Sequence, residues 1–253
     1  MVHGIEKFKS EFSRFSGQYV LIGGSACSLI FEELGSEFRA TKDLDIVLIV
    51  EVLDEDFVKA FCSFIEKGGY EHINKNKENQ YYRFSRPTDS QFPAMLELFS
   101  KRPEYLKTIE TKLAPIHVSD DLVSLSAILL DDDYYKLITT GFVTVEEISV
   151  LKLEYLILFK MKAWLDLTQR KNEGENIDSK DVKKHKNDVI RLAVNIDGSS
   201  FVSLPSKIKE DAKRFITEIR NNPIDLKFLR IGNVRYDDIV RTASINKVLF
   251  SKI

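Results

Sequence analysis

The 253-residue chain lacks several features that define specialised classes of protein. Its two cysteines, Cys27 and Cys62, are too few for a disulfide framework and do not have the spacing of a metal site. Its longest purely apolar runs, residues 46–50 and 155–159, are far shorter than the roughly 20 residues needed to cross a bilayer. The first residues are charged and contain no apolar secretory core. We therefore expect a reduced, cytoplasmic protein without a membrane partner.

An excess of charge of one sign is also absent. The chain has 37 Lys and Arg against 39 Asp and Glu, for a net charge of -2. This balance excludes a chain-wide basic field for nucleic acid but leaves room for a local basic patch. The hydrophobic fraction of 43% is typical of a globular protein with a sizeable core.

The pattern of apolar residues changes near residue 148. Before this point, strands are predicted over residues 19–22, 45–50, 81–84 and 94–99, and helices over 5–15, 26–34 and 54–67. After it, helices alone are predicted, over residues 151–167, 179–194, 208–221 and 236–249. We therefore predict an α/β domain over residues 1–147 and a helical domain over residues 148–253.

Two aspartates, Asp43 and Asp45, lead into the predicted second strand. Side chains alternate along a strand, so both carboxylates project to the same side. Paired carboxylates suit Mg²⁺, which commonly binds one or two of them together with phosphate oxygens. A solvated strand end is the alternative, and it is favoured for an isolated Asp-x-Asp because acidic residues are mostly exposed.

The segment Gly23-Gly24-Ser25 separates the first predicted strand from a helix. Such a turn leaves free backbone N–H groups at the positive end of the helix, where a phosphate binds well. An ordinary glycine turn is the alternative. Neither GxxxxGK[ST] nor GxGxxG occurs here, so the two best-known phosphate loops are excluded.

Glu97 lies in the middle of an apolar predicted strand, where a charge is costly unless it is paired or ligating. An outward-facing position on a half-exposed strand is the alternative. A phosphate turn, an Asp-x-Asp pair and a further strand carboxylate together supply what a two-metal phosphoryl transfer requires. We prefer this joint functional interpretation to a separate structural explanation for each of the three features.

These motifs, Gly23-Gly24-Ser25-Ala26 and the Arg-x-Thr-x-Asp-x-Asp run of residues 39–45, resemble those of the DNA polymerase β-like nucleotidyltransferases. Within that superfamily the chain is most similar to the AbiEii/AbiGii toxin group, which includes the MenT-like toxins. Residues 154–164 resemble the lysine-bearing helix of the group, and residues 178–189 resemble its final acidic motif. In that motif Asp188 matches, whereas His185 stands where many relatives have an aspartate. The last 60 or so residues match no motif of the group.

The resemblance implies a nucleotidyltransferase-fold mixed sheet with flanking helices and assigns roles to individual residues. Asp43, Asp45 and Glu97 are expected to be catalytic and to hold Mg²⁺. The expected nucleotide-binding residues are Gly23, Gly24, Ser25, Lys160 and Asp188.

The sequence around Lys160 agrees in part with this role. Lys160 interrupts an apolar helix, and a buried ammonium needs an anionic partner. Snorkelling of its head group to solvent is the alternative. Farther along, Lys162, Asp166 and Arg170 are spaced four residues apart, which predicts a surface ion-pair ladder.

The resemblance also implies a reaction. It is the Mg²⁺-dependent transfer of a nucleoside monophosphate from an NTP to a hydroxyl of tRNA or protein, with release of pyrophosphate. The group suggests the toxin of a type IV toxin–antitoxin system with a cognate antitoxin. The alternative function is a catalytically degenerate module that binds a nucleotide or a partner protein, and the departure at His185 keeps this alternative open.

Overall fold

The computed structural model describes residues 2–73, 81–101, 128–129, 131–196, 204–223 and 229. The helices are α1 (Ile5–Phe12), extended by a 3-10 turn (Ser13–Phe15), α2 (Gly23–Glu33), α3 (Glu55–Gly68), α4 (Asp132–Thr140), α5 (Leu153–Asn172), α6 (Ser179–Val194) and α7 (Ser206–Asn221). The strands are β1 (Tyr19–Ile22), β2 (Asp43–Leu48), β3 (Glu71–Ile73), β4 (Tyr81–Ser85), β5 (Met95–Ser100), β6 (Phe142–Val145) and β7 (Ile148–Leu151). The helix predicted over residues 236–249 lies outside the described residues.

In the described ranges the strands form one sheet in the order β3-β4-β5-β2-β1-β7-β6. The pairs β2–β5 and β1–β7 are parallel, and the other neighbouring strands are antiparallel. The predicted α/β class, a mixed sheet with flanking helices, is confirmed. Strand β1 lies at an interior position and all four of its residues are buried, which explains why its sequence is continuously apolar rather than alternating.

An aromatic cluster fixes α1 and α3 on one face of the sheet. Phe12 of α1 contacts Phe61 and Phe64 of α3 at ring-centroid distances of 5.9 and 5.3 Å. Phe61 in turn contacts Phe84 of β4 at 5.6 Å. Because neighbouring side chains on a strand alternate between faces, Arg83 projects to the opposite face from this cluster.

The chain divides into two compact units. The first contains the described residues up to Lys101 together with Tyr135–Lys152, and the second contains described residues 128–134 and those from Leu153 onward. The first unit thus ends at Lys152, not at residue 147 as expected. The difference arises because Ile148–Leu151 forms β7, which pairs with β1 and β6.

The described elements of the second unit include α5, α6 and α7, and α5 packs against the other two. Trp164 of α5 meets Phe215 of α7 edge-on at 5.2 Å between ring centroids. Helix α6 begins at its predicted residue because the Asp178 carboxylate accepts a hydrogen bond from the Lys180 N–H. None of the helices in the described ranges is long and apolar enough to cross a membrane.

Candidate functional site

A row of charged side chains crosses three adjacent strands of the sheet. In the register of the strands, Arg83 of β4 lies opposite Glu97 of β5, and Glu97 lies opposite Asp45 of β2. Directly opposed residues project to the same face. The row therefore presents one basic and two acidic side chains next to one another, on the face away from the aromatic cluster.

Asp43 joins this row from the same strand as Asp45. The two aspartates are separated by Leu44, which is fully buried on the other face. The structure thus places Asp43, Asp45 and Glu97 on one face of the sheet, and Glu97 is 6% exposed rather than directed outward.

Arg83 is the main counter-charge of Glu97. Its Nη2 and Nε lie 2.7 and 2.9 Å from the same carboxylate oxygen, Oε1 of Glu97. Burial raises the pKa of Glu97 well above its usual range, and the neighbouring Asp45 carboxylate and its hydrogen bond to Glu97 add to this shift. Arg83 opposes the rise in the pKa of Glu97 but is outweighed. Glu97 is therefore tied to Arg83 on one side and to Asp45 on the other.

These residues fit a divalent cation only in part. The Asp43 and Asp45 carboxylates supply the hard oxygen donors that Mg²⁺ prefers, on one face and in the number it commonly uses. The Glu97 carboxylate is engaged by Arg83. Over the described part of the chain, no three His, Cys, Asp or Glu side chains are arranged to hold a metal ion. In this conformation Asp43 and Asp45 have the donor atoms that suit Mg²⁺, whereas Glu97 does not join them in the expected set of three carboxylates.

The two glycines at the start of α2 allow β2 and the segment before it to approach closely. Gly23 has φ +68, and a Cβ on it would lie 1.8 Å from Oδ2 of Asp45. A Cβ on Gly24 would lie 3.0 Å from Oγ1 of Thr41 and 3.5 Å from Nη2 of Arg39. The Gly-Gly pair and the Arg-x-Thr-x-Asp-x-Asp run, far apart in the chain, therefore meet at the first turn of α2.

The structure starts α2 at Gly23, three residues earlier than predicted, with Ile22 at the N-cap. The Ile22 side chain has no oxygen and makes no cap hydrogen bond. The Ser25 hydroxyl is buried and donates to the Ile22 carbonyl oxygen at 3.2 Å, so it supports the turn itself. The role of Gly23, Gly24 and Ser25 as a phosphate cradle stays a prediction.

In the second unit the structure brings Lys160 and Asp188 together. The Lys160 Nζ lies 3.3 Å from Oδ2 of Asp188, and the Asp188 side chain is fully buried. Arg191, one turn farther along α6, approaches the other oxygen of Asp188 at 3.5 Å. Lys160 thus has the anionic partner that its burial demands, and it does not snorkel. The predicted contribution of Lys160 and Asp188 to nucleotide binding is untested. His185 is buried one turn before Asp188.

The predicted surface ladder on α5 is wrong for Lys162. Its Nζ lies 2.9 Å from Oδ2 of Asp211 on α7, and Asp211 also accepts a hydrogen bond from the Tyr134 hydroxyl at 3.0 Å. Asp166 and Arg170 do approach each other, at 3.8 Å. Helix periodicity predicted the neighbours along α5, but only the packing of α7 supplies the carboxylate that Lys162 binds.

Arg83 is the site residue that sequence reasoning missed. A cation in the middle of an aromatic strand segment, Tyr81–Ser85, is as unusual as Glu97 in its own strand. Two such opposite charges on neighbouring strands indicate a cross-strand pair. The two charges can be read from the sequence, but the adjacency of β4 and β5 that pairs them comes from the structure.

Comparison with known proteins adds no assignment, because no protein-family model and no curated protein matches the chain.

Proposed function

We propose that the chain is a Mg²⁺-dependent nucleotidyltransferase that moves a nucleoside monophosphate from an NTP to a hydroxyl acceptor and releases pyrophosphate. The observation that supports this proposal is the placement of Asp43 and Asp45 on one face of β2, with Asp45 directly against Gly23 at the start of α2.

The chemistry of these groups suits the transfer. Asp43 and Asp45 would hold the cation, and the N–H groups of the first turn of α2 would bind phosphate oxygens of the NTP. Mg²⁺, when bound, would neutralise phosphate charge and activate the acceptor hydroxyl. The acceptor hydroxyl would lose its proton to solvent and its oxygen would attack the α-phosphorus. The bond between the α-phosphorus and the oxygen that bridges to the β-phosphate would break, and pyrophosphate would leave.

The acceptor and the biological setting follow from the sequence resemblance. We propose tRNA or a protein as the acceptor, a cytoplasmic location, and a toxin role in a toxin–antitoxin pair with a cognate antitoxin. The low cysteine content is in keeping with a reducing compartment.

The test is label transfer from α-³²P NTPs, supplied one at a time with total RNA or with lysate protein. We expect labelled RNA or protein that requires Mg²⁺ and disappears with EDTA. The doubly substituted variant Asp43→Asn/Asp45→Asn should give no label. Asp56→Asn, an exposed acidic residue in the first turn of α3, is the matched control and should label as the wild type does. Label that survives the double substitution overturns the proposal.

A second candidate function is nucleotide binding without transfer. It is favoured by the engagement of Glu97 with Arg83 and by the lack of a three-ligand metal set in the described residues. This candidate predicts saturable binding of an NTP, measured by isothermal titration, with no label transfer to any acceptor. The nucleotidyltransferase predicts both binding and transfer.

A further inference from the structure

The hydrogen bonds between β6 and β7 determine which backbone groups of β6 face outward. A two-residue turn joins the strands, so the residues beside it, Val145 and Ile148, form a hydrogen-bonded pair. The Gly141 carbonyl oxygen accepts a hydrogen bond from the Lys152 N–H at 3.0 Å. Because hydrogen-bonded positions alternate along an antiparallel pair, Val143 also bonds to β7. The odd-numbered residues of β6 therefore use their N–H and C=O groups within the hairpin.

The even-numbered residues, Phe142 and Thr144, direct their N–H and C=O groups to the other edge of β6. In the sheet that the described residues form, β6 is an end strand, and no further strand pairs with this edge. The Val143 side chain is 39% exposed, and Thr144 is exposed as well. An edge of this kind is a template for pairing with a strand of another chain.

Strand β6 does not carry the features by which proteins usually prevent such pairing. Its four residues, Phe142–Val145, include no charged residue and no proline. At the other end of the described sheet, β3 begins with Glu71, which forms an ion pair with Arg86 at 3.2 Å. A charge on an end strand discourages pairing between sheets. The edge of β6 has instead the β-branched residues that favour extended pairing.

A second copy of the chain fits this edge because the edge is complementary to itself. With a two-fold axis at Val143, Phe142 of each copy lies opposite Thr144 of the other, and their outward groups form hydrogen-bonded pairs. The two exposed Val143 side chains then meet at the axis, which removes apolar surface from water. The acidic turns, Glu146 and Glu147 of each copy, lie at opposite ends of the interface, whereas parallel pairing would bring these like charges together.

We propose that the chain forms a two-fold dimer by antiparallel pairing of β6 with β6 of a second copy, centred on Val143. The inference is independent of the proposed function. The interface is small because β6 has only four residues, and interfaces below about 1,200 Å² are typical of weak complexes. We therefore expect a dissociation constant of about 10–100 μM.

The first test is sedimentation equilibrium of the full chain between about 1 μM and 1 mM, a range that brackets the expected constant. The average mass should rise from monomer to dimer. Val143→Lys opposes two like charges at the axis and should weaken association about 10-fold or more. Val52→Lys is the matched control, since Val52 is an exposed valine outside β6, and it should associate as the wild type does. Thr144→Pro removes an outward N–H but no bond to β7, so it should also weaken association.

The second test examines the register by cross-linking. Opposed residues that are not hydrogen-bonded have Cα atoms about 4.5 Å apart, which is within the range of a disulfide. Val143→Cys should therefore give a covalent dimer on mild oxidation. Val52→Cys controls for cross-linking by chance and through the native cysteines, and it should stay monomeric on a denaturing, non-reducing gel.

The outcomes decide the proposal. A chain that stays monomeric at about 1 mM overturns it. A dimer that survives both Val143→Lys and Thr144→Pro forms through another surface and also overturns it, as does equal cross-linking of Val143→Cys and Val52→Cys. Circular dichroism of each variant shows that it is folded. A monomeric chain that binds an extended peptide at β6 would assign the edge to a different partner and contradict the dimer.

Discussion

Gly23 shows, at the scale of single residues, how closely the candidate site is packed. Its φ of +68 lies in the left-handed region, and its missing side chain leaves the space that Oδ2 of Asp45 fills. Any other residue here must adopt a strained backbone and also displace the Asp45 carboxylate. Gly23 therefore combines a conformational and a steric requirement in one position.

We predict that Gly23→Ala lowers the free energy of unfolding by about 2–4 kcal/mol, from backbone strain and overpacking together, and abolishes Mn²⁺ binding. Gly35→Ala is the matched control, because Gly35 has φ +67 but nothing within 4 Å of an added Cβ. It should cost only about 1 kcal/mol of strain. Urea unfolding measures the change in free energy, and titration with Mn²⁺ followed by electron paramagnetic resonance measures the loss of binding. Equal behaviour of the two variants would show that Asp45 does not lie against Gly23.

The Arg83–Glu97 pair gives a second prediction at this scale. Arg83→Gln leaves a buried Glu97 without its counter-charge and should destabilise the fold by about 3 kcal/mol. Adding Glu97→Gln replaces the buried carboxyl that has lost its counter-charge, so the double variant should be more stable than Arg83→Gln. A double-mutant cycle of urea unfolding free energies measures the coupling. Additive free energies would contradict an ion pair between the two residues.

Helix α3 illustrates, at the scale of elements, how much a capping residue determines. Asp54 is its N-cap, with Oδ1 accepting from the Phe57 N–H at 2.8 Å and Oδ2 accepting from Gln18 Nε2 at 2.8 Å. The hydrogen bond from Phe57 has the larger effect and that from Gln18 the smaller, and together they hold the pKa of Asp54 below its usual value.

The pH dependence of stability follows from the sign of this shift. An aspartate with a lowered pKa in the folded state stabilises the fold above its unfolded pKa of about 4, and the stabilisation is lost as the pH falls through the lower folded pKa. Asn is also a good N-cap but does not titrate. The quantity to follow is the unfolding free energy of the wild type minus that of Asp54→Asn. We predict that this difference decreases as the pH falls from about 5 to about 2. A difference that stays constant with pH would contradict the hydrogen-bonded cap.

The sequence predicted those elements whose signals are local. Helices α3 and α6 have both an amphipathic pattern and an N-capping aspartate, and their predicted starts agree with the structure to within one residue. The short strands β3, β6 and β7 and the helix α4 were missed, because a few apolar residues carry too little periodicity to separate strand from helix. Asp43 and Asp45 could be placed on one face by alternation alone. The pairing of Arg83 with Glu97 could not, because the order of strands in a sheet is decided by tertiary packing.

The division of the whole molecule depends on β7. This strand lies between β1 and β6, so the sheet of the first unit is complete only after Leu151. The boundary predicted from the pattern of apolar residues, at residue 147, removes β7 and separates β6 from the rest of the sheet.

We therefore predict that a fragment of residues 1–152 unfolds cooperatively in urea and retains the circular dichroism of a mixed sheet. A fragment of residues 1–147 should lack a cooperative transition. The two fragments differ by five residues at the end of the first unit, so each controls for the other. Similar transitions in both would place β7 outside the stable sheet.

The parallel pairing of Leu21 with Val150 also sets the order in which the chain can fold during synthesis. Strands β1 and β2 can pair early, since they are joined by α2 and a short connection. The other edge of β1 stays open until the ribosome has released residue 150, and an open edge of a hydrophobic strand readily pairs with another chain. A nascent polypeptide stalled before β7 is therefore the state most exposed to misassociation, and contacts so distant in sequence make closure of the sheet a slow step.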